Sequence, residues 1–272
     1  MATWLHGLGW QELALVVLAF FGGLTLVSSA IGFLYEHLLR HRRIWGLPLK
    51  PGQLAFEARS NVGFILVQAV AMTAALQSGL LRLTDGGSPW LTAGATHVVF
   101  QIYYFALHRA MHHPRIVRVH RHHHWSQVTT PLSGQSVSLV EALGWAAGYV
   151  GAPALLAFVM PVSAAGLVGY LVFNVYGNLV GHANFEVFPR WVAANRTLAF
   201  FAPPFLFHAL HHARWNGHYG FATAWTDRLF GTEWADYPAL EERIQSGHPL
   251  TSLKARGDTE VAVGSEPPID AA

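Results

Sequence analysis

Apolar residues fall in long, nearly unbroken runs along this chain, each about as long as a membrane-spanning helix. The first run covers residues 13–34 and is interrupted only by Thr25, Ser28 and Ser29. Because about 20 apolar residues in a helix cross the hydrocarbon core of a bilayer, the run predicts a membrane span. The pattern as a whole predicts an all-α membrane bundle of four or five spans. The other long runs lie at residues 62–81, 91–107, 139–160 and 162–181.

A shorter apolar run at residues 198–207 differs from these. It is too short to cross a bilayer and is broken by Pro203 and Pro204, so we expect it to be re-entrant or interfacial. The last two long runs are separated only by Pro161. They are expected to form a hairpin that leaves one side of the membrane and returns to it.

The positive charges predict how the bundle is oriented. Of the 17 Lys and Arg residues, only Arg82 falls in a segment assigned to the outer side, and cytoplasmic segments carry the excess of positive charge. The N-terminus is therefore expected outside and Ala272 in the cytoplasm. The first run does not read as a secretory signal, because its basic residues, at 40, 42 and 43, follow it rather than precede it.

Composition excludes several classes of protein. The chain is 52% hydrophobic and 12% charged, against about 25% charged in an ordinary soluble domain. With no cysteine, it has no thiolate metal site, disulfide or iron–sulfur cluster. A formal charge of +2 gives no reason to expect a nucleic-acid partner. We expect one membrane domain over residues 1–256 and a disordered tail over residues 257–272, where Gly, Ser, Pro and acidic residues replace the apolar pattern.

Histidines are concentrated in two places, residues 108–124 and 208–212. On a helix, positions i, i+3 and i+4 share a face, so imidazoles at those spacings can converge on one metal ion. Eight histidines have such spacings, and the membrane hairpin between the two clusters brings the second back to the first. A metal site facing the cytoplasm is the interpretation that this repetition favours. The eight residues are His108, His112, His120, His123, His124, His208, His211 and His212.

The number and kind of these donors bear on the metal. Eight imidazoles are too many for one ion and suit two. Calcium and magnesium prefer oxygen ligands, and the only carboxylates between residues 61 and 185 are Asp85 and Glu141. Imidazole suits iron, copper, nickel and zinc. We favour iron, because an iron site at a membrane can use O₂ on aliphatic C–H bonds, although ligand type alone does not decide this.

The ordered histidine motifs carry a family resemblance. Residues 103–113, 120–124, 208–220 and 225–232, the last reading Trp-Thr-Asp-Arg-Leu-Phe-Gly-Thr, resemble the fatty acid hydroxylase/sterol desaturase superfamily. The resemblance implies an integral membrane enzyme in which two iron ions and O₂ hydroxylate or desaturate an aliphatic position of a lipid or sterol. It also implies a cytoplasmic active site and an external electron donor, of ferredoxin or cytochrome type with its reductase. No Gly-x-Gly-x-x-Gly motif for a nucleotide occurs in the chain.

The resemblance adds a ninth candidate ligand. His182 ends the returning limb of the hairpin, and residues 181–186 resemble a stretch of the superfamily where an extra histidine often joins the metal. If the helix runs through this region, Asn178, His182 and Glu186 share one face. The alternative is a histidine that caps the helix or lies at the membrane interface.

The sequence departs from the family pattern at four positions. Gln101 and Ala209 stand where the family often has Asp, Ser138 occupies a position that is often His, and His218 replaces Asn. Ligating histidines usually donate their second N–H to a carboxylate or a carbonyl. Lost carboxylates would weaken the site unless backbone carbonyls replace them.

Alternatives to the enzyme remain open at this point. They are a catalytically inactive relative, a haem- or metal-binding membrane protein and a transporter. Haem-binding spans place isolated histidines at bilayer depth, whereas these clusters lie at span ends. A transporter would place ionisable residues near the midplane, where only His97 and Asp85 are candidates.

Several other residues are expected to lie outside the metal site. His113 and His122 fall off the ligand faces, and His97 lies eleven residues before His108, at bilayer depth. Four arginines near the first two motifs either dock an acidic electron donor or anchor the protein to anionic lipid headgroups. They are Arg109, Arg115, Arg118 and Arg121.

Overall fold

The computed structural model describes residues 1–257. Their architecture is almost entirely helical, as the sequence predicts. Two strands of two residues each, β1 (Leu83–Thr84) and β2 (Val162–Ser163), pair in parallel. The helices, in chain order, are α1 (Ala2–Gly7), α2 (Trp10–Leu38), α3 (Gln53–Gln77), α4 (Pro89–Met111), α5 (Val117–His120), α6 (Leu139–Leu156), α7 (Ala164–Gly181), α8 (Arg190–Ala193), α9 (Arg196–Phe201), α10 (Phe205–Arg214), α11 (Trp225–Phe230) and α12 (Tyr237–Gln245).

Five long helices form a closed ring in which α2, α3, α6, α4 and α7 each pack against the next and α7 packs against α2. Within the described residues, α2, α3, α6 and α7 are long and apolar enough to cross a membrane. The fifth member of the ring, α4, has 23 residues and ends in the first histidines. Large apolar side chains such as Leu26, Val70 and Leu143 point outward and are exposed, which is the surface a bilayer requires. The chain is a membrane protein by this criterion.

The two ends of the bundle differ. At one end, β1 and β2 join the loop after α3 to the loop after α6. At the other end, a cap covers the bundle with its own core, which includes Trp45, Leu210 and Leu240. Both histidine clusters lie at this second end, because α4 descends to it and α7 returns to it.

The connection between α2 and α3 differs from the prediction. The first two apolar runs leave residues 35–61 between them, but α2 continues to Leu38 and α3 begins at Gln53. The short segment between them is part of the cap. Ile44 and Trp45 are fully buried, and backbone bridges pair Arg43 with Phe185 and Trp45 with Leu250. The sequence did not reveal this role because the pairing partners lie more than a hundred residues away.

The short apolar run at 198–207 is divided, as its prolines predict. Helix α9 ends at Phe201, and α10 begins at Phe205 after Pro203 and Pro204. The tail predicted at residues 257–272 lies outside the described residues apart from Gly257, and the division into one domain and a tail stays a prediction.

Candidate metal centre

The first pair of histidines lies at the end of α4. His108 is on its last turn and is buried, while His112 follows the final residue, Met111. Because one helical turn separates the two residues, their rings lie one above the other, with centroids 5.3 Å apart. The Pro114 that follows soon after cannot extend the helix, so the chain turns back across the end of the bundle.

The two triplets are built differently. His120 ends the short helix α5, and His123 and His124 lie in a separate 3-10 turn. In contrast, His208, His211 and His212 occupy one continuous helix, α10. All six side chains are buried. The second triplet therefore owes its arrangement to helical spacing, and the first to a turn that only mimics that spacing.

The nine predicted residues come together in two groups. The first holds His108, His112, His120, His124 and His211, and the second holds His123, His182, His208 and His212. In each group one ring nitrogen per residue lies within 4.8 Å of every other. Eight of the nine side chains are buried, and His112 is half-buried.

This grouping corrects the expectation that each triplet converges on one ion. In both triplets, residues i and i+4 join one group and residue i+3 joins the other. At 3.6 residues per turn, positions i and i+4 on α10 diverge by only about 40°, while i+3 and i+4 diverge by about 100°. His211 therefore turns towards α4, and His208 and His212 turn towards His182.

A second correction concerns His182. Helix α7 does not run through to Glu186 but ends at Gly181, so Asn178, His182 and Glu186 do not form one helical face. His182 still reaches the second group, since it is the first residue beyond the helix. Glu186 lies apart and accepts hydrogen bonds from the backbone of Phe188, at 3.0 Å, and Leu206, at 3.1 Å.

In six of the nine histidines, the ring nitrogen that faces away from the two groups is held by an acceptor. Glu141 is the one carboxylate among these acceptors, 2.7 Å from Nδ1 of His120, and Trp145 Nε1 donates to the same oxygen at 3.1 Å. The other five acceptors are main-chain carbonyls. This is how metal-binding histidines are usually oriented. The carbonyls are those of Tyr219 for His108 (2.7 Å), Ser136 for His123 (3.3 Å), Asn178 for His182 (2.6 Å), Gly217 for His211 (2.8 Å) and Ser126 for His212 (2.9 Å).

These bonds determine which nitrogen carries the proton. A carbonyl oxygen only accepts, so His108 is protonated on Nδ1 and presents a lone pair on Nε2. Glu141 Oε1, which also accepts from Trp145 Nε1, has the same effect on His120. Nevertheless, the two Nε2 atoms lie 3.0 Å apart, where two lone pairs repel unless a cation lies between them. Imidazole nitrogens bind an ion such as zinc at about 2.0–2.1 Å, so two nitrogens at right angles around it are about 3 Å apart.

The second group has the same geometry. His208 Nε2 lies 3.0 Å from Nε2 of His182 and 3.2 Å from Nε2 of His212. In the first group, Nε2 of His112 and Nε2 of His211 are buried without a hydrogen-bond partner among the described residues. Buried polar atoms are rarely left unpaired, so the residues present fit a metal ion in each group.

Burial keeps these imidazoles neutral. Desolvation lowers the pKa of His112 and His182 to about 4. It holds the pKa of His120, His124 and His211 well below the ordinary value, and neighbouring imidazoles lower it further. A neutral imidazole has the free lone pair that metal binding requires. The two groups are therefore ready to bind metal at neutral pH.

The histidines at positions 97, 113, 122 and 218 stay away from the two groups. His122 contacts Ser60 Oγ at 2.7 Å and packs on Phe56, and His113 is exposed. His97 lies against Phe173 within the bundle. His218 stacks on Phe207 with centroids 3.7 Å apart and accepts a hydrogen bond from the backbone of Trp234.

The other unusual positions also have structural roles. Ser138 caps α6 and donates to the carbonyl of Val119 at 2.9 Å. Ala209 belongs to the apolar core of the cap. Gln101 is buried and lines a cavity beside His123 and His182. Backbone carbonyls thus take the place of the carboxylates that the sequence lacks.

Two carboxylates that the sequence analysis gave no role support the centre from a distance. Glu57 accepts hydrogen bonds from Gln53, Ser126, Thr130 and Ser133 at 2.5–2.8 Å. It lies in the polar first turns of α3, before the apolar run that begins at residue 62, so nothing in the sequence marked it as a supporting residue.

Asp227 is the second of these carboxylates. It accepts from the backbone of Tyr219 at 2.8 Å and of Gly220 at 2.6 Å, and from Thr232 Oγ1 at 2.6 Å. It thereby holds the loop whose carbonyls, at residues 217 and 219, orient His211 and His108. It lies in the segment 225–232 that resembles the family motif, which was the signal available in the sequence.

Comparison with known proteins agrees with this picture. Residues 94–232, about half of the chain, match the family model described as "Fatty acid hydroxylase". A very-long-chain aldehyde decarbonylase, GL1-4, of Oryza sativa subsp. indica is 30% identical over 151 residues, which are 55% of this chain and 24% of that protein. Protein CER1-like 2 of Arabidopsis thaliana is 30% identical over 152 residues, 53% of this chain and 25% of that protein.

The match is confined to one part of these relatives, since the chain spans about a quarter of their length. A third similar protein, very-long-chain aldehyde decarbonylase GL1-7 of Oryza sativa subsp. japonica, is 28% identical over 203 residues, 65% of this chain and 31% of that protein. No solved structure matches the chain.

Proposed function

The chain belongs to the fatty acid hydroxylase family, and from this premise we propose that it is a membrane di-iron oxidoreductase acting on a lipid or sterol with O₂. The observation that carries the proposal is the pair of histidine groups, five residues and four, in which one ring nitrogen of each residue lies within 4.8 Å of the others. Each group would hold one iron ion. When bound, the two ions would supply O₂-dependent hydroxylation or desaturation of an aliphatic position.

The contribution of this chain is to orient the ligands and exclude water. Glu141 and the five carbonyls keep the proton of six of the nine rings on Nδ1, which leaves Nε2 of those rings free for the metal. Beside the second group, Phe64, Trp145 and Tyr149 line a cavity with His123 and His182. An aliphatic carbon held among these aromatic rings would lie next to the metal and away from water, which limits competing reactions.

Electrons would come from an external donor, of ferredoxin or cytochrome type with its reductase. Arg109, Arg115, Arg118 and Arg121 are exposed near the first two histidine motifs. They would form a basic surface to which an acidic donor docks. With the charge bias of the sequence, this supports an active site on the cytoplasmic side.

A second candidate differs in its substrate. Two of the relatives named above, GL1-4 and GL1-7, are very-long-chain aldehyde decarbonylases, which favours a long-chain aldehyde as an alternative to a saturated lipid. The same centre would serve either substrate, because both bring an aliphatic chain to the metal. The product distinguishes them: an aldehyde that loses its carbonyl carbon leaves a hydrocarbon one carbon shorter.

Mass spectrometry of lipids from cells with and without the protein tests both candidates. A lipid that gains one oxygen or loses two hydrogens supports hydroxylation or desaturation, and a hydrocarbon one carbon shorter than an aldehyde supports the second candidate. His208→Ala, which removes a residue of the second group, is the inactive control. Unchanged lipids and aldehydes in cells whose protein holds two irons and receives electrons would contradict both.

The optical spectrum of the purified protein addresses the binding-protein alternative. An all-imidazole di-iron site has no porphyrin and should show no Soret band. An intense Soret band that persists after purification would favour a haem protein and overturn the di-iron proposal.

A further inference from the structure

A second cavity lies beside the metal centre, between α7 and the segment that joins it to α10. It has a volume of about 240 Å³, and its lining is mainly apolar, including Phe173, Tyr176, Phe188 and Phe205. At its inner end it touches His208, a member of the second histidine group. We call this cavity the lateral cleft, and the cavity lined by Trp145, Tyr149, His123 and His182 the inner chamber.

The inner chamber lies beside the second histidine group, where the reacting carbon of an aliphatic substrate would have to be, but it is too small to hold that carbon chain. Its volume is about 30 Å³, room for only about two water molecules, since a cavity of about 10–15 Å³ holds one. An aliphatic carbon can therefore enter only if a side chain moves aside. The lateral cleft is about eight times larger and lies next to it.

Three side chains line both cavities: Asn174, Asn178 and Phe221. Asn178 is fixed, because Nδ2 donates to the carbonyl of Gly134 at 2.7 Å. Asn174 Nδ2 donates to the carbonyl of Tyr170 at 3.3 Å within α7. Phe221 lies in the loop between α10 and α11, and its ring is held by packing alone. Of the three side chains between the cavities, Phe221 can therefore move with the least loss of hydrogen bonding.

Phe221 covers the metal centre directly. Its ring stacks on His182 with centroids 5.0 Å apart and meets His208 edge-on at 4.7 Å. It rests on the backbone of α7 at Gly181, where an added Cβ would lie 2.6 Å from Phe221 Cζ. Any larger residue at position 181 would push the ring out of this place.

The mouth of the lateral cleft faces a strongly apolar surface. Phe173, which lines the cleft, is 57% exposed. Trp191 on α8 and Phe201 on α9 flank the lining segments and are 68% and 64% exposed. A cluster of exposed aromatic side chains next to a membrane-spanning helix is suited to contact lipid. The cleft thus opens towards the bilayer.

We propose that the lateral cleft binds the aliphatic tail of a membrane lipid and that Phe221 is the gate between it and the inner chamber. The substrate enters sideways from the bilayer, and rotation of the Phe221 ring admits the reacting carbon to the space beside His182 and His208. Gly181 allows the closed position. This inference deepens the proposed function and rests on it for the identity of the tail as substrate.

Photolabelling of the full-length protein in lipid nanodiscs tests the site without turnover. The probe is a long-chain fatty acyl analogue with a diazirine near the chain end, and labelled residues are mapped by peptide mass spectrometry. We expect labels on residues 173–188 and 202–205 lining the cleft, and weaker labels on Trp145 and Tyr149 in the chamber. Labelling confined to outward-facing residues such as Leu143 and Leu155 would overturn the site.

Substitutions at position 221 test the gate. Phe221→Ala and Phe221→Leu should raise labelling of Trp145 and Tyr149, and Phe221→Trp should lower it, each by about tenfold, since pocket size discriminates by roughly that factor. Iron content should stay unchanged. Equal chamber labelling in wild type and in the Leu and Ala variants would show that Phe221 is no gate.

Gly181→Ala, which displaces the ring, should act like Phe221→Ala. Gly169→Ala is its matched control on α7, because a Cβ there meets nothing within 4 Å. An equal effect of the two glycine variants would contradict the role of Gly181.

These assays separate the proposed cleft from the proposed function. Labelling requires no reaction, so the cleft can be confirmed even where no oxidised lipid is found. Oxidation at the wild-type rate in Phe221→Trp would remove the gate and leave the proposed function standing.

Discussion

Glu57 accepts a 2.6 Å hydrogen bond from Ser126 Oγ, although the two residues lie on segments 69 positions apart. The carbonyl of the same Ser126 accepts the Nδ1 proton of His212 at 2.9 Å. A carboxylate inside the helical bundle is thereby connected through one residue to the second histidine group. The metal centre depends on a support that extends well beyond the histidines.

Replacement of Glu57 should weaken the second group. Glu57→Gln puts an amide N–H where a carboxylate oxygen accepted hydroxyl protons, so the loop that carries Ser126 loses an acceptor. We expect iron affinity to fall by about tenfold, at the lower end of what outer partners of metal ligands contribute, measured by competition with a chelator. Glu12→Gln, with the same change of charge at an exposed position, is the control. Wild-type affinity in Glu57→Gln would refute the connection.

Asp227→Asn should affect mainly the first group. The amide can no longer accept from all three donors, at Tyr219, Gly220 and Thr232, so the carbonyls that orient His108 and His211 lose their positions. We expect iron content to fall from two towards one per chain, measured by elemental analysis. Asp85→Asn at the opposite end of the bundle should retain both ions. Loss of both ions together in Asp227→Asn would show that the two groups are not separable in this way.

The role of His182 as a ninth ligand is tested by paired variants. His182→Ala leaves three histidines in the second group and should bind clearly less than two irons per chain and lose activity. His113→Ala and His122→Ala remove imidazoles outside both groups, so these variants should keep most of the iron and most of the activity. Two irons and normal turnover in His182→Ala would mean that the other eight histidines suffice.

The pH dependence follows from burial. Unperturbed imidazoles titrate near 6.5, but desolvation lowers the pKa of His112 and His182 to about 4 in the folded protein. Between these values the unfolded chain binds protons that the folded chain does not, so acidification favours unfolding. The stability that these residues contribute is complete above pH 6.5 and is lost as the pH falls towards 4.

The measurement is the thermal unfolding midpoint of the metal-free protein at pH 7, 5.5 and 4. It should fall steadily over this range, and the fall should be smaller in His182→Ala. Protons should also displace bound iron only when the pH is well below 6.5. A midpoint that does not change between pH 7 and 4 would contradict the burial of these imidazoles.

The orientation in the membrane is tested by reporter fusions at the two ends of the chain. Because sixteen of the 17 Lys and Arg residues were assigned to the side of the histidines, we expect the N-terminus outside and the C-terminus in the cytoplasm. A cytoplasmic location for both ends would require an even number of spans and a different topology.

The sequence by itself determined which segments are long apolar helices and which eight histidines can meet, and the family resemblance added His182 to them. Both depend on local information: the length of an apolar run decides whether it can cross a bilayer, and the spacing of histidines limits which can share a helix face. The end of α7 at Gly181, earlier than expected, did not remove His182 from the site, because a residue just beyond a helix end remains close to it.

Only the tertiary structure decided how the histidines divide between two groups and what orients them. His211 joins His108 rather than His208 because α10 packs with that side towards α4. The acceptors for the Nδ1 protons, Glu57 behind Ser126 and Phe221 over His182 all come from segments distant in the chain. Sequence spacing cannot predict such partners, because the direction of a side chain in space depends on how its helix or loop packs against the others.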